Sequence, residues 1–123
     1  MLRLGTIVLG AEDVDRAATF WAGALGYEVV MFPEEEDAFT IIVPPDRIGT
    51  RVAVHRSTVP VQDRPRVHVD LVVDSAAEQA AEVERLIRLG ATRVAWEYPA
   101  DPDFVVLADT EGNRFCVVDA SHG

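Results

Sequence analysis

The stretch Ala108-Asp-Thr-Glu-Gly-Asn-Arg-Phe-Cys116 contains a tight turn set between two apolar runs. Asp, Gly and Asn favour turns, because Gly accepts positive φ and the short polar side chains bond to nearby backbone. The flanking runs Phe104–Ala108 and Arg114–Val118 are rich in β-branched and aromatic residues, which favour strands. The stretch therefore predicts a hairpin whose turn spans Asp109–Asn113.

The elements that precede this hairpin follow a definite order. Val67–Val73 has the composition of a strand. Ser75 and Glu78 then form a capping-box pattern, which predicts the start of a helix that ends at Leu89-Gly90. A strand at Thr92–Glu97 completes the order βαβββ. The apolar stripe of the helix is predicted from residues at helical spacing, namely Ala76, Ala80, Val83 and Ile87.

The first half of the chain repeats this order. Arg3–Leu9 is predicted as a strand, Asp13 as the N-cap of a helix, and Leu25-Gly26 as its end. The acidic run Glu34–Asp37 is predicted to be a solvated hairpin tip. Turn-forming residues separate three further strands that follow the helix. These strands are Tyr27–Phe32, Ala38–Val43 and Thr50–Arg56.

A duplicated βαβββ order predicts an α+β fold in which two modules form a single domain over residues 1–123. Module 1 is assigned to about residues 1–57, a proline-containing linker to residues 58–65, and module 2 to about residues 66–120. Two such modules that pair their sheets edge to edge would form a curved, cup-shaped eight-stranded sheet with the helices outside.

The composition narrows the class of protein. A chain of 123 residues with 49% apolar content is sufficient for one compact core. The net charge of −10 argues against nucleic-acid binding, which requires basic patches. The sequence shows neither a membrane-spanning apolar run nor a secretory signal pattern, so we expect no membrane partner and a cytoplasmic location. A single cysteine excludes an internal disulfide.

Strand alternation indicates which side chains share a face, because residues two apart in a strand point the same way. On this basis Thr6, His55, His68 and Cys116 lie on the sheet face away from the helices. Imidazole nitrogen and thiol sulfur are ligands for borderline metals, so His55, His68 and Cys116 are the candidate metal ligands. The alternative is that His68 and Asp70 form a polar pair satisfied within the sheet.

Further candidates lie on the same predicted face or at its rim. Arg51 and Arg114 share the face by alternation, and a guanidinium binds a carboxylate through two hydrogen bonds. The alternative for either arginine is a salt bridge to Asp70 or to a neighbouring acid. Trp96 and Phe104 either line the mouth of a ligand pocket or pack within an ordinary hairpin. The full set of ligand-binding candidates is Thr6, Arg51, Asp70, Trp96, Phe104 and Arg114.

Three segments of the chain occur in the order and spacing of a known superfamily. They are Asp13-Val-Asp-Arg-Ala-Ala-Thr-Phe-Trp-Ala-Gly-Ala-Leu-Gly-Tyr-Glu-Val29, Arg66-Val-His-Val-Asp-Leu71 and Asp109-Thr-Glu-Gly-Asn-Arg-Phe115. They resemble the vicinal-oxygen-chelate superfamily of glyoxalases, bleomycin resistance proteins and extradiol dioxygenases, and its glyoxalase-like subgroup. The resemblance implies a cup-shaped sheet around a small-molecule site, and it implies a homodimer.

The resemblance also bears on the metal site. In metal-dependent members the ligands come from the first and last strands of each module and are usually His, Gln or Glu. The matching positions here are Thr6, His55, His68 and Cys116. Thr6 stands where His or Gln is common, and Cys116 stands where Glu is usual.

Two functions are compatible with this pattern. One is a lyase- or isomerase-like enzyme with a degenerate site for a divalent metal, which would be Zn, Fe, Ni or Mn. The other is a metal-free protein that binds a ligand or an antibiotic without catalysis. A module used for dimerisation only is a third interpretation.

Overall fold

The computed structural model describes residues 1–31 and 39–122, and its two compact units are Met1–Pro60 and Val61–Gly123. The boundary falls inside the predicted linker 58–65, and the predicted acidic hairpin tip lies outside the described residues. The α+β class and the twofold βαβββ order are confirmed. Module 1 is the unit Met1–Pro60, and module 2 is the unit Val61–Gly123. Each contains a four-stranded sheet and a helix. Neither helix is long and apolar enough to cross a membrane.

Module 1 has its first and last strands side by side at one edge of the sheet. Strand β1 runs parallel to β4, and the remaining neighbours are antiparallel. Helix α1 packs against β3 and β4. The elements are β1 (Thr6–Ala11), α1 (Val14–Leu25), β2 (Glu28–Met31), β3 (Phe39–Val43) and β4 (Arg51–Arg56), in the sheet order β1-β4-β3-β2.

The ends of α1 follow the sequence signals. The carboxylate of Asp13 accepts the backbone N–H of Arg16 at 3.0 Å, as an N-cap does. Gly26 closes the helix with φ of 68°, a conformation that side chains with a Cβ resist. Phe20 and Trp21 are both 2% exposed and meet edge to face, so they form much of the core of this module.

Module 2 repeats the arrangement of module 1. Strand β5 runs parallel to β8, and β7 pairs antiparallel with both β8 and β6. Helix α2 packs against β8 and β5. The elements are β5 (Val69–Val73), α2 (Ala76–Leu89), β6 (Thr92–Arg93), β7 (Phe104–Ala108) and β8 (Arg114–Asp119), in the sheet order β5-β8-β7-β6. The joining of the two sheets into one curved surface stays a prediction.

The buried face of α2 differs from the predicted stripe. Of the predicted residues, Val83 is 2% exposed and Ile87 is half-buried, but Ala76 and Ala80 are exposed. Leu86, which the stripe did not include, is also 2% exposed. Gln79 occupies the same face because its amide donates hydrogen bonds to the carbonyls of Asp103 and Val117, at 3.0 and 2.9 Å. A polar side chain thus takes a core-facing position that apolar periodicity alone assigns elsewhere.

Strand β6 is also shorter than predicted, ending at Arg93 and not at Glu97. The cause lies in Tyr98, whose hydroxyl accepts the backbone N–H of Val106 at 2.8 Å. This contact satisfies a donor of β7 that a longer β6 would otherwise pair, so the ladder is not needed there. Strands β1 and β5 likewise begin later than predicted, at Thr6 and Val69.

The hairpin turn between β7 and β8 is built around a buried carboxylate. Asp109 is 3% exposed, and its Oδ1 accepts the backbone N–H groups of Glu111 and Asn113, each at 2.9 Å. Its Oδ2 accepts the side-chain amide of Asn113 at 3.2 Å. Gly112 takes φ of 89°, which the turn requires. The predicted turn is confirmed, and its position fixes where β8 begins.

We predict that Asp109→Ala lowers the free energy of unfolding by about 2–4 kcal/mol, because it leaves three half-buried donors of Glu111 and Asn113 without their acceptor. Chemical denaturation followed by circular dichroism measures this change. Asp46→Ala is the matched control: Asp46 accepts one backbone N–H, from Ile48 at 2.9 Å, but it is exposed. We expect a loss below about 1 kcal/mol for the control. Equal losses in both variants would contradict the structural role of Asp109.

Candidate metal and ligand site

The parallel pairing of β5 with β8 sets the geometry of the candidate site. Asp70 lies directly across from Cys116, with side chains on the same face of the sheet. The flanking residues Phe115 and Val117 point the other way and are each 1% exposed. The alternation predicted for β8 is thereby confirmed, and it places the thiol opposite the helix-covered core.

His68 completes a three-residue cluster with Asp70 and Cys116. It immediately precedes β5, and its Nε2 lies 3.1 Å from Oδ1 of Asp70. One donor atom from each residue, an imidazole nitrogen, a carboxylate oxygen and a thiol sulfur, lies within 4.8 Å of the other two. The side chains of His68 and Asp70 are 46% and 53% exposed, and Cys116 is buried. The cluster is thus open to solvent above a buried sulfur.

The protonation state of the thiol follows from its surroundings. Burial raises the pKa of Cys116, and the negative charge of Asp70 and a hydrogen bond to that carboxylate raise it further. With a smaller contribution from the charge of Asp103, the pKa reaches about 11. Cys116 is therefore a neutral thiol at neutral pH, and a bound cation would have to displace its proton.

The equivalent positions of module 1 carry different chemistry. Thr6 and His68 each lie seven residues before a helix N-cap. The pair of Val8 and Ala53 in module 1 is equivalent to the pair of Asp70 and Cys116 in module 2. Neither Val8 nor Ala53 has a group that binds a metal. The counterparts of His68, Asp70 and Cys116 are therefore Thr6, Val8 and Ala53.

His55 and Thr6 lie at opposite ends of the same face in module 1. Thr6 pairs with Arg51, whereas His55 pairs with Gly10, so they are separated by about 13 Å along the strands. The exposed ring of His55 lies 6.3 Å from the ring of Phe39. The last-strand position that matches Cys116 is that of Ala53, and the place of His55 in a metal site stays a prediction.

Arg114 belongs to the same face of β8 as Cys116, two residues away. Its side chain is 17% exposed, and Nη2 lies 3.1 Å from Oδ1 of Asp63. Nη1 donates to the carbonyl of Gly112 at 2.7 Å. The acid that pairs with Arg114 is therefore Asp63 in the linker, whereas Asp70 pairs with His68. Arg51, the candidate in module 1, is exposed beside Thr6.

The aromatic candidates form two separate contacts. Phe104 pairs with Val118 and lies on the same sheet face as Cys116. The ring of Tyr98 packs against the ring of Phe104, with 5.4 Å between the ring centroids. Trp96 is covered by the guanidinium of Arg64, 5.3 Å from the ring centroid. A pocket mouth formed by Trp96 and Phe104 stays a prediction.

Sequence reasoning assigned Asp70 to ligand binding and missed its place among the potential metal donors. The signal was present in His68-Val-Asp70, because alternation puts both side chains on one face. Asp63 and Arg64 were not singled out, since a linker has no periodicity from which to place them.

Comparisons with known proteins agree with this architecture. Residues 6–118 match the family described as a glyoxalase-like domain. The fosfomycin resistance protein FosX from Listeria monocytogenes gives a TM-score of 0.74 at 15% identity, over 100% of this chain and 93% of that one. A glyoxalase-related enzyme from Fulvimarina pelagi gives a TM-score of 0.66 at 23% identity, over 97% of this chain and 88% of that one.

A glyoxalase/bleomycin resistance protein/dioxygenase family enzyme from Burkholderia phytofirmans PsJN gives a TM-score of 0.72 at 15% identity, over 96% of this chain and 98% of that one. No curated protein matches the chain. At these identities the likeness to solved structures establishes the fold alone.

We predict that Cys116 reacts slowly with iodoacetamide at pH 7. A pKa raised from 9.0 to about 11 lowers the thiolate fraction about a hundredfold relative to the unfolded chain. The rate should rise as the pH approaches 11, because the thiolate is the reacting form. Mass spectrometry of the alkylated protein against time measures both effects.

Asp70→Asn tests the cause of this slow reaction. It removes the negative charge beside the thiol and replaces a charged acceptor of the thiol proton with a weaker neutral one, so alkylation should be faster than in the wild type at the same pH. Glu84→Gln removes an exposed charge on α2 and should leave the rate unchanged. A folded wild-type thiol that reacts at pH 7 as fast as the urea-unfolded chain would contradict the assignment.

Proposed function

Because this chain belongs to the glyoxalase-like domain family of the vicinal-oxygen-chelate superfamily, we propose that it binds a small molecule at a divalent metal held by His68, Asp70 and Cys116. The reaction proposed at this metal is of the lyase or isomerase type. The observation that carries the proposal is the convergence of three different donor atoms within 4.8 Å. A homodimer in the cytoplasm is part of the same proposal.

The geometry of the donors suits a small divalent cation. Tetrahedral zinc holds nitrogen, oxygen and sulfur at about 2.0–2.3 Å, which puts neighbouring ligand atoms about 3.5 Å apart. The donors here lie within 4.8 Å of one another, and the exposed His68 and Asp70 side chains are the ones that would move towards a shared ion. Three protein ligands also leave a position for a ligand oxygen, as in catalytic zinc sites.

The donor set favours some of the expected metals over others. Thiolate and imidazole prefer zinc, iron or nickel, whereas manganese prefers oxygen ligands and binds most weakly in the divalent series. With a thiol in place of the usual last-strand Glu, we propose zinc as the preferred metal. The sequence-predicted set of Zn, Fe, Ni or Mn is narrowed accordingly.

Each residue has a distinct role in this proposal. The bound metal would polarise an oxygen of the ligand. Cys116 would hold the metal through its sulfur, which would require loss of the thiol proton. Asp70, whose Oδ1 lies 3.1 Å from Nε2 of His68 without a metal, would supply the carboxylate ligand, the type of group that takes a proton from a carbon acid. His55, in module 1, is retained as a further candidate ligand.

We predict that the purified protein retains about one zinc per chain after dialysis, because three donors converge at a single site. His68→Ala and Cys116→Ser should each weaken zinc binding by more than the 10- to 100-fold typical of losing an outer-shell partner. Elemental analysis and competition with a chelating dye measure stoichiometry and affinity.

His122→Ala is the matched control for these variants, because His122, near the C-terminus, contacts Asp101 and is not one of the three donors. This substitution should leave zinc binding unchanged. His55→Ala tests the ligand predicted from the sequence: a loss equal to that of His68→Ala would add His55 to the site. Failure of the wild type to bind zinc, iron, nickel or manganese would overturn the metal proposal. The metal-free ligand- or antibiotic-binding function would then be favoured.

A further inference from the structure

We propose that Arg114 is the subsite for an anionic oxygen group of the ligand, and that Asp63 occupies this subsite until a ligand displaces it. The inference rests on the proposed function, since it places the ligand on the same face as His68, Asp70 and Cys116. It names the class of ligand: a small molecule that carries a carboxylate.

The first observation is the position and burial of the guanidinium. Arg114 and Cys116 point to one face of β8, with about 7 Å between successive side chains on that face. Only 17% of the arginine side chain is exposed. A charged group so placed loses much of its hydration and therefore needs charged or polar partners.

The second observation is that those partners are incomplete. Nη1 is satisfied by the carbonyl of Gly112 and Nη2 by one oxygen of Asp63. Nε is buried and has no hydrogen-bond partner among residues 1–31 and 39–122. A guanidinium binds a carboxylate best through two parallel N–H donors, one to each oxygen. Asp63 supplies a single contact, so a better-placed carboxylate would gain a hydrogen bond.

The third observation concerns the residue that now pairs with Arg114. The side chain of Asp63 is 90% exposed and belongs to the irregular segment that precedes β5. An ion pair with so exposed a partner is weakened by solvent and by side-chain entropy. Asp63 is therefore a counter-ion that a ligand can replace without disturbing the sheet.

The segment that carries Asp63 is held on module 2 by its neighbours in sequence. Val61 lies against the hairpin turn, so close that a Cβ added to Gly112 would sit 3.1 Å from its Cγ1. Arg64 stacks over Trp96 at 5.3 Å. These contacts keep Asp63 near Arg114 while its own carboxylate faces solvent, and the segment can stay in place when the ion pair opens.

The chemistry of the face selects the ligand. The proposed metal site attracts neutral or anionic oxygens at one end, and the guanidinium of Arg114, two residues from Cys116 on the same strand face, attracts a carboxylate at the other. A molecule with a carboxylate at one end and a metal-binding oxygen at the other satisfies both. A neutral molecule cannot compensate the charge of Arg114 once Asp63 has moved.

The test uses the full chain without metal and acetate as the probe, at constant ionic strength balanced with chloride. Nuclear magnetic resonance of the Arg114 Nε–H group, in protein with 15N-labelled arginine, reports binding directly. Acetate should shift this resonance in a saturable manner, and acetamide should not. Inorganic phosphate is a second arm: tighter binding of phosphate than of acetate would overturn the carboxylate assignment.

Two variants decide the role of Asp63. Asp63→Asn removes the competing charge, so acetate affinity should rise about twofold to fivefold, the range set by an exposed ion pair. Glu84→Gln opens the exposed Arg93–Glu84 pair, which has the same 3.1 Å contact, and should leave affinity unchanged. Acetate affinity that is equal in Asp63→Asn and the wild type would overturn the displacement model.

Two substitutions of the arginine make the test independent of folding defects. Arg114→Gln removes the positive charge. Arg114→Lys keeps the charge but lacks the two parallel N–H donors of a guanidinium. Both substitutions should abolish saturable acetate binding, as measured by calorimetry. Undiminished binding in a folded Arg114→Lys protein would overturn the subsite. Because no metal is present, failure here with intact zinc binding affects only this inference, and the converse result affects only the metal proposal.

Discussion

The parallel pairing of β5 with β8 is the constraint on which the rest of the candidate site depends. It sets Asp70 beside Cys116 and turns Phe115 and Val117 into the core. A one-residue shift of β8 in this register would turn Cys116 into the core beneath α2 and expose the aromatic ring of Phe115. The buried turn at Asp109 and the burial of Phe115 therefore serve the site as well as the fold, because both hold β8 in its register.

The two modules use one framework for different purposes. Each places its first strand parallel to its last, with a capped helix between them. At the equivalent paired positions of the first and last strands, module 1 has the apolar Val8 and Ala53, and module 2 has Asp70 and Cys116. The duplication thus supplies two equivalent faces, of which that of module 2 carries the convergent donors.

Much of this organisation was predictable from sequence, because local rules act within a few residues. The caps at Asp13 and Ser75 and the turn at Asp109 each depend on bonds to backbone groups two to four residues away. Features that depend on distant partners were not predictable. The buried face of α2 required Gln79 to find two carbonyls in other strands, and β6 ended early because Tyr98 reached Val106.

The site was predicted in part for the same reason. Alternation placed His68 and Asp70 on one face of their strand, but the pairing of β5 with β8 was needed to bring Cys116 beside Asp70. A salt bridge of Arg114 to Asp70 or to a neighbouring acid was the alternative to ligand binding, and Asp63 could not be chosen as that acid from a linker without periodicity. A donor set is thus a property of strand neighbours, which sequence spacing does not specify.

The proposed metal site requires the thiol of Cys116 to bind the metal as a thiolate. X-ray absorption at the zinc edge of the zinc-loaded protein tests it most directly, with Cys116→Ser as the reference. We expect one sulfur at about 2.3 Å and nitrogen or oxygen neighbours at about 2.0–2.2 Å, with the sulfur lost in the variant. A spectrum of the wild type that contains nitrogen and oxygen neighbours alone would contradict it.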